Sequence, residues 1–213
     1  MKNILYAALL CSEVYRDYPS SIHDDIVNVI PVINEFTDTQ LFVFRSLKAN
    51  RLHITVRGSS SKRDWVSNFM SRKVWYRGIK AHRGYVNAAQ SVIDEVLDIV
   101  NVNEGMDVTV SGHSLGGSVA VLIMVRLCQH FKLIGRRADL QLITFGQRRV
   151  STKSHLEKEL SCSYVRVTNG SDVAPRTPYV GYSHAGTLLY LPNSKYVGNN
   201  DAGHYLIDPP WYK

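Results

Sequence analysis

No apolar run in the chain approaches the roughly 20 residues that a bilayer-spanning helix requires, so any membrane contact is expected to be peripheral. Cysteine is scarce too. Cys11, Cys128 and Cys162 are odd in number and lack the paired spacing of a disulfide framework or a zinc site, and neither a metal nor any other cofactor is expected. Pro/Gly/Ser-rich linkers, low-complexity tracts and internal repeats are also missing. That leaves residues 1–213 to one domain, whose 45% hydrophobic content supports one sizeable core. A lysine ahead of the short apolar run Ile4 to Cys11 has the outline of an export signal, but no small-x-small cleavage site follows it. Ser12-Glu13-Val14-Tyr15 instead continues the pattern, with Leu10 and Val14 four apart, so a structural first helix is expected and the cytoplasm is the default location. Acids are the minority charge, 18 Asp and Glu against 25 Lys and Arg, a formal net charge of +7. No recognisable nucleic-acid module accompanies that charge, and nucleic acid is not an expected partner.

What the chain does have is Gly112-His113-Ser114-Leu115-Gly116, a G-x-S-x-G pentapeptide where a buried strand gives way to an apolar helix. Asp107 to Ser111 is rich in β-branched residues and reads as a strand, whereas Gly117 to Cys128 carries Val119, Leu122, Ile123, Val125 and Leu127 and reads as a helix. A serine is thereby placed at a sharp strand-to-helix turn, with small neighbours that let the backbone strain and a helix N-terminus that favours developing negative charge. Other strands are expected at Gln40 to Arg45, Leu52 to Arg57, Leu140 to Phe145, Tyr164 to Val167 and Thr187 to Leu191. Helices are expected at Tyr85 to Val100, where Val92, Val96 and Val100 share a face, and near Ser154 to Leu160. Strands alternating with helices imply an α/β fold, a mostly parallel central sheet with helices on both faces.

A serine is a poor nucleophile at neutral pH without a base and an orienting acid. Asp172 follows the strand ending at Thr168, in a loop at the carboxyl end of a parallel strand, where such sheets place their chemistry. His204 lies near the C-terminus, so that Ser114, Asp172 and His204 run in the chain order of α/β-hydrolase triads. The spacing leaves rivals. His184 lies twelve residues past Asp172 and competes with His204, while Asp201 and Asp208 compete with Asp172 but sit close to His204 in sequence. His113, beside the nucleophile, reads as a packing residue because the elbow sends its neighbours in different directions.

Several segments together resemble the class 3, fungal-type lipase family of the α/β-hydrolase superfamily. Val56 to Trp65 resembles its oxyanion loop and the start of its lid, and Ala81-His82-Arg83-Gly84-Tyr85 its H-x-G-aromatic segment. Thr144 to Val150 is similar to the F-G-x-P-R-V strand end, with Arg148 where proline is usual, and Val167 to Pro175 is similar to the acid loop. The resemblance implies an α/β-hydrolase fold and carboxylic-ester hydrolysis. It puts His204 on the catalytic position and His184 on a non-catalytic one, and assigns the oxyanion donors to Ser59 and Leu115. An N–H just after the nucleophile is free because it opens a helix, and a second donor must come from the loop after an earlier strand. Members are often longer, secreted and disulfide-bonded, and this chain shows none of those marks, which puts bulk triacylglycerol as natural substrate in doubt.

The segment at about 60–80 reads as lid-like. Trp65, Phe69, Met70 and Trp75 are its prominent apolar residues, with Trp65/Phe69 and Val66/Met70 each four apart on an expected short helix that could cover an apolar slot. Seven basic residues against one acid between Lys62 and Arg83 favour an anionic lipid surface or a phosphate-bearing head group. The expected activity is therefore hydrolysis of lipid esters, acylglycerol or phospholipid, through an acyl-enzyme on Ser114. The alternatives are an esterase or acyltransferase acting on non-lipid esters, separable by a chain-length series, and a non-catalytic lipid-surface binding protein, which would leave Ser114 unacylated.

Overall fold

The computed structural model describes residues 2–16, 25–58, 72–170 and 172–192. Helix α1 (Lys2–Glu13) precedes three strands, β1 (Ile26–Asn34), β2 (Thr39–Ser46) and β3 (Arg51–Val56). A hairpin of β4 (Lys73–Tyr76) and β5 (Ile79–His82) then leads into helices α2 (Arg83–Gln90) and α3 (Ile93–Val102). Beyond these come β6 (Asp107–His113), α4 (Leu115–Leu133), β7 (Leu140–Phe145), α5 (Lys153–Glu159), β8 (Ser163–Asn169) and β9 (Thr187–Leu191).

Seven strands form one sheet in the order β1-β2-β3-β6-β7-β8-β9. From β3 to β9 every neighbouring pair is parallel, while β1 and β2 are antiparallel additions at one edge. Parallel neighbours need crossovers. Helices α2 to α5 supply them for β3 to β8. Alternation along the strands sorts the two faces. Leu41, Val43 and Leu142 join the large core beneath α2, α3 and α4, whereas Phe42, Phe44, Ile143 and Phe145 face α1 through Ala7, Leu10, Cys11 and Val14. Helix α4 lies deep: thirteen of its residues are buried, which is why it reads as apolar all round rather than as a stripe. At the N-terminal ends of the parallel strands, Arg51 bridges Asp107 at 3.3 Å and Asp139 at 2.6 Å. The other end of the sheet is thus left to the loops that carry chemistry.

Three expectations change. The helix expected over Tyr85 to Val100 is two helices, interrupted where Ser91 donates from Oγ to Ala88 O at 2.8 Å and hydrogen-bonds Thr37 Oγ1 at 2.7 Å. A serine hydroxyl that finds such partners competes with helix continuation. Within the segment expected to be lid-like, residues 73–80 belong to the β4–β5 hairpin, with Tyr76 and Ile79 buried in the main core, and the rest before 72 lies outside the described residues. Strand β1 was not expected. It pairs only with β2, and an edge strand tolerates Pro31.

Candidate active site

Ser114 sits between β6 and α4 at φ 54°, ψ −119°, a left-handed conformation rare for a residue with a side chain. Such a backbone costs about 1–3 kcal/mol and persists only where its surroundings enforce it. The surroundings are visible. Ser114 N–H donates to Phe145 O at 2.8 Å, tying the turn to β7, and Ser118 N–H donates back to Ser114 O at 3.4 Å as α4 begins. The glycines make the turn possible. A β-carbon on Gly112 would lie 2.5 Å from the backbone of Gly116. One on Gly116 would overlap Val56 O and lie 2.7 Å from Arg57 O, and one on Gly117 would lie 2.9 Å from Gly112 O. The end of β3 therefore rests on the first turn of α4, beside Leu115. The Leu115 N–H, among the first of the helix, has no acceptor among the described residues.

The foot of the loop after β3 is fixed by α1's C-terminal extension. Tyr15 OH lies 3.0 Å from His113 Nδ1 and packs against the backbone at Gly58. Gly58 has no room for a side chain: a β-carbon would run into the Tyr15 hydroxyl and lie 3.0 Å from His113 O. Burial pushes the Tyr15 phenol above its ordinary range, so it stays protonated. His113 is 3% exposed and packs edge-on to Tyr15, in keeping with its reading as a packing residue.

Asp172 is brought to the same end of the sheet by the turn after β8. It is 5% exposed, its Oδ1 accepts from Ala174 N–H at 2.9 Å, and its own N–H donates to Asn169 O at 3.0 Å. Gly146, at the end of β7 with φ 55°, supplies the space: a β-carbon there would lie 2.5 Å from Asp172 Oδ2 and 3.7 Å from His113 Nε2. Ser114, Gly146 and Asp172 thus follow neighbouring strands β6, β7 and β8 at the same end of the sheet, with Asp172 packed on Gly146. Gln147 holds the β7 end in place, accepting at Oε1 from Thr144 Oγ1 at 3.0 Å and from the Tyr164 hydroxyl while donating to Arg148 O at 2.8 Å. These supports were missed in the sequence, where Gln147 is only the variable position of the F-G-x-P-R-V-like segment and Tyr15 the end of the first helical pattern.

The rival histidine is engaged elsewhere. His184 Nε2–H donates to Pro175 O at 2.7 Å, and burial, reinforced by Arg166, pushes its pKa down to about 4. It is a neutral prop for the turn that follows Asp172. His82 has a comparable role at the start of α2, where Nδ1 accepts from Gly84 N–H at 3.2 Å and burial lowers its pKa to about 4. Trp75 is 67% exposed on β4, its ring under Lys80 Nζ at 5.0 Å and against His155 at 6.3 Å. His204, Ser59, Trp65, Phe69 and Met70 lie outside the described residues, as do Asp201 and Asp208. Among the described residues no group of His, Cys, Asp and Glu is placed to hold a metal, and no helix is long and apolar enough to cross a membrane.

Comparison with known proteins agrees with this geometry. Residues 53–182 match the family described as Lipase (class 3). The chain is 32% identical over 188 residues to a lipase of Rhizomucor miehei, an alignment covering 81% of this chain and 52% of the relative. Over 188 residues it is 28% identical to a secreted mono- and diacylglycerol lipase of Fusarium solani, covering 81% and 54%. The structure superposes on the Rhizomucor miehei lipase in its propeptide complex with a TM-score of 0.76 at 27% identity, covering 89% of this chain and 67% of the other. The chain spans about half the length of these curated relatives.

Proposed function

Because the chain belongs to the class 3 lipase family, we propose that it hydrolyses carboxylic esters of lipids, acylglycerols or phospholipids, through an acyl-enzyme on Ser114. The observation that carries the proposal is the strained serine, held by glycines at the strand-to-helix turn with a buried carboxylate, Asp172, converging on the same floor. Structural serines have no need of a left-handed backbone, and strain of this kind collects where a side chain must be presented to a substrate.

In the proposed reaction His204 removes the Ser114 hydroxyl proton as Oγ bonds to the ester carbonyl carbon. The carbonyl oxygen, now an anion, is met by the Leu115 N–H at the start of α4 and by the loop donor at Ser59. His204 then gives its proton to the departing alcohol as the carbon–oxygen bond breaks. Water, deprotonated by the same imidazole, bonds to the acyl carbon, and the acid is released as the carbon–Oγ bond to Ser114 breaks and the imidazolium returns its proton to Oγ. Asp172 holds the imidazole's tautomer and stabilises its charged form. The lipid substrate class is supported by the relatives named above, which are lipases.

Intact-protein mass after exposure to a fluorophosphonate tests this reading, with p-nitrophenyl esters from acetate to palmitate assayed in parallel. Wild type is expected to gain one adduct and to hydrolyse the medium and long esters, and Ser114→Ala and His204→Ala to do neither. An adduct that survives in Ser114→Ala would overturn the assignment of the nucleophile, and an optimum at acetate would overturn the lipid substrate.

A further inference from the structure

The loop that follows the acid turns apolar side chains to solvent on a backbone that is held from below. Val173, Tyr179 and Val180 are 60%, 70% and 87% exposed. Arg149 donates its N–H to Thr177 O at 2.8 Å and its Nη1 to Pro178 O and Tyr179 O, both at 3.3 Å. Lys73 on β4 donates to Gly181 O and lies 4.4 Å from the centroid of the Tyr182 ring. With the carbonyls of Thr177, Pro178, Tyr179 and Gly181 bound by Arg149 and Lys73, the tip cannot fold inward to shelter Tyr179 and Val180. Such a fixed apolar tip marks an interaction site rather than a scattered surface hydrophobe.

Its neighbours in the chain and on the β4–β5 hairpin carry mostly positive charge, with Glu159 of α5 set against the hairpin turn at Gly78. Residues 72–83 contain five Lys and Arg and no acid, and Arg72, Arg83 and Arg176 are exposed. Across the described residues 172–186 the sole acid is Asp172, which is buried. A protein partner would meet a rim of mixed polarity, whereas aliphatic and tyrosyl side chains within a cationic ring fit the interface of an anionic lipid layer. There the apolar groups enter the acyl boundary, Tyr sits at head-group depth and Arg meets phosphate. The end of the sheet agrees: the β1–β2 turn, at the same end as Ser114, carries Phe36, 98% exposed.

We propose that the loop 173–181 is a lipid-docking element, which seats the protein on an anionic lipid surface with the entrance to Ser114 facing the layer. The purpose of docking rests on the lipid-ester reading above, but the binding does not. The test is co-sedimentation of the whole chain with vesicles of phosphatidylcholine alone or mixed equally with phosphatidylglycerol. Wild type, Val180→Ser and the double variant Tyr179→Ser/Val180→Ser are compared with Leu133→Ser, which alters a residue 81% exposed at the opposite end of α4. Wild type and Leu133→Ser are expected to bind the mixed vesicles well above pure phosphatidylcholine. The double variant should lose about tenfold or more in partitioning and Val180→Ser a smaller share, with hydrolysis of soluble p-nitrophenyl acetate unchanged.

Equal binding by wild type and the double variant would overturn the proposal, as would equal binding to both vesicle types or none to either. A dimer in size-exclusion chromatography that the double variant abolishes would reassign the surface to a second copy of the chain. Absent ester hydrolysis with vesicle binding as expected would count against the catalytic reading alone.

Discussion

Gly116→Ala sets two effects of opposite sign against each other. In the interior of an ordinary helix, replacing glycine by alanine stabilises by about 1 kcal/mol, because alanine gives up less backbone entropy. Gly116 lies one residue inside α4, so propensity alone predicts a firmer protein. The structure predicts otherwise. The new methyl would overlap Val56 O and lie 2.7 Å from Arg57 O, both backbone atoms. Relief requires a shift of about 1 Å between β3 and α4. Overpacking a close-fitted site costs about 1–3 kcal/mol, and backbone obstruction on this scale puts the cost at the upper end. The net is about 2 kcal/mol of destabilisation, which lowers the Tm of a chain this size by about 4–8 °C. The same shift moves the loop foot at Gly58 away from the Leu115 N–H. Misplacement of catalytic groups by about 1 Å costs about 100-fold, so kcat/KM on p-nitrophenyl butyrate should fall by that order. Thermal unfolding followed by circular dichroism and steady-state kinetics read the two effects separately. An unchanged or raised Tm with kcat/KM within about twofold of wild type would refute the steric account of the elbow.

Tyr15→Phe removes the hydroxyl that bonds His113 Nδ1 and packs against Gly58, so a loss of about 1–2 kcal/mol in stability and a several-fold fall in kcat with KM little changed are expected. Equal falls in kcat for Tyr15→Phe and a distant destabilised control, matched in Tm, would deny Tyr15 any part in positioning the loop. Acid sensitivity follows from His53, His82 and His184, each lowered from 6.5 to about 4 chiefly by burial. Their folded pKa values lie below the unfolded one, so the unfolded chain binds protons first as pH falls. Stability from these groups is present above pH 6.5 and lost progressively between 6.5 and 4. A Tm that stays level down to pH 4 would contradict it.

The elbow was legible because its cause is local. Gly112, Ser114 and Gly116 lie within one turn of chain, and the crowding that requires glycine at 112 comes from Gly116 and Gly117 of the same reversal, whereas that at 116 comes from Val56 and Arg57 of the distant β3 end. The acid loop was legible for a similar reason, a strand ending in polar and small residues before Asp172. What sequence periodicity could not see were features made by partners distant in the chain. The stripe of Val92, Val96 and Val100 lies wholly beyond the break at Ser91 and gives no sign of it, because the break comes from Thr37, 54 residues away. The β4–β5 hairpin turns at Arg77 and Gly78, with φ 46° and 85°. A positive φ at arginine gives no signal of the Asn-Gly kind, and the aromatic run before it reads equally as helix. Tyr15 and Gln147 belong to the same class, supports defined only by what folds against them.

The obstruction around the elbow glycines has a consequence for any attempt to redesign this site by selection. The atoms that a β-carbon would meet at Gly112 and Gly116 are main-chain carbonyl groups and a main-chain nitrogen, and main chain is common to all twenty amino acids. No second-site side-chain replacement can hollow out room for them, so variants at these positions should yield no local suppressors. Adaptive variation is left to residues whose neighbours are side chains or solvent, above all the exposed positions between Val173 and Gly181, which can be randomised for new substrates or surfaces without disturbing the turn that presents Ser114.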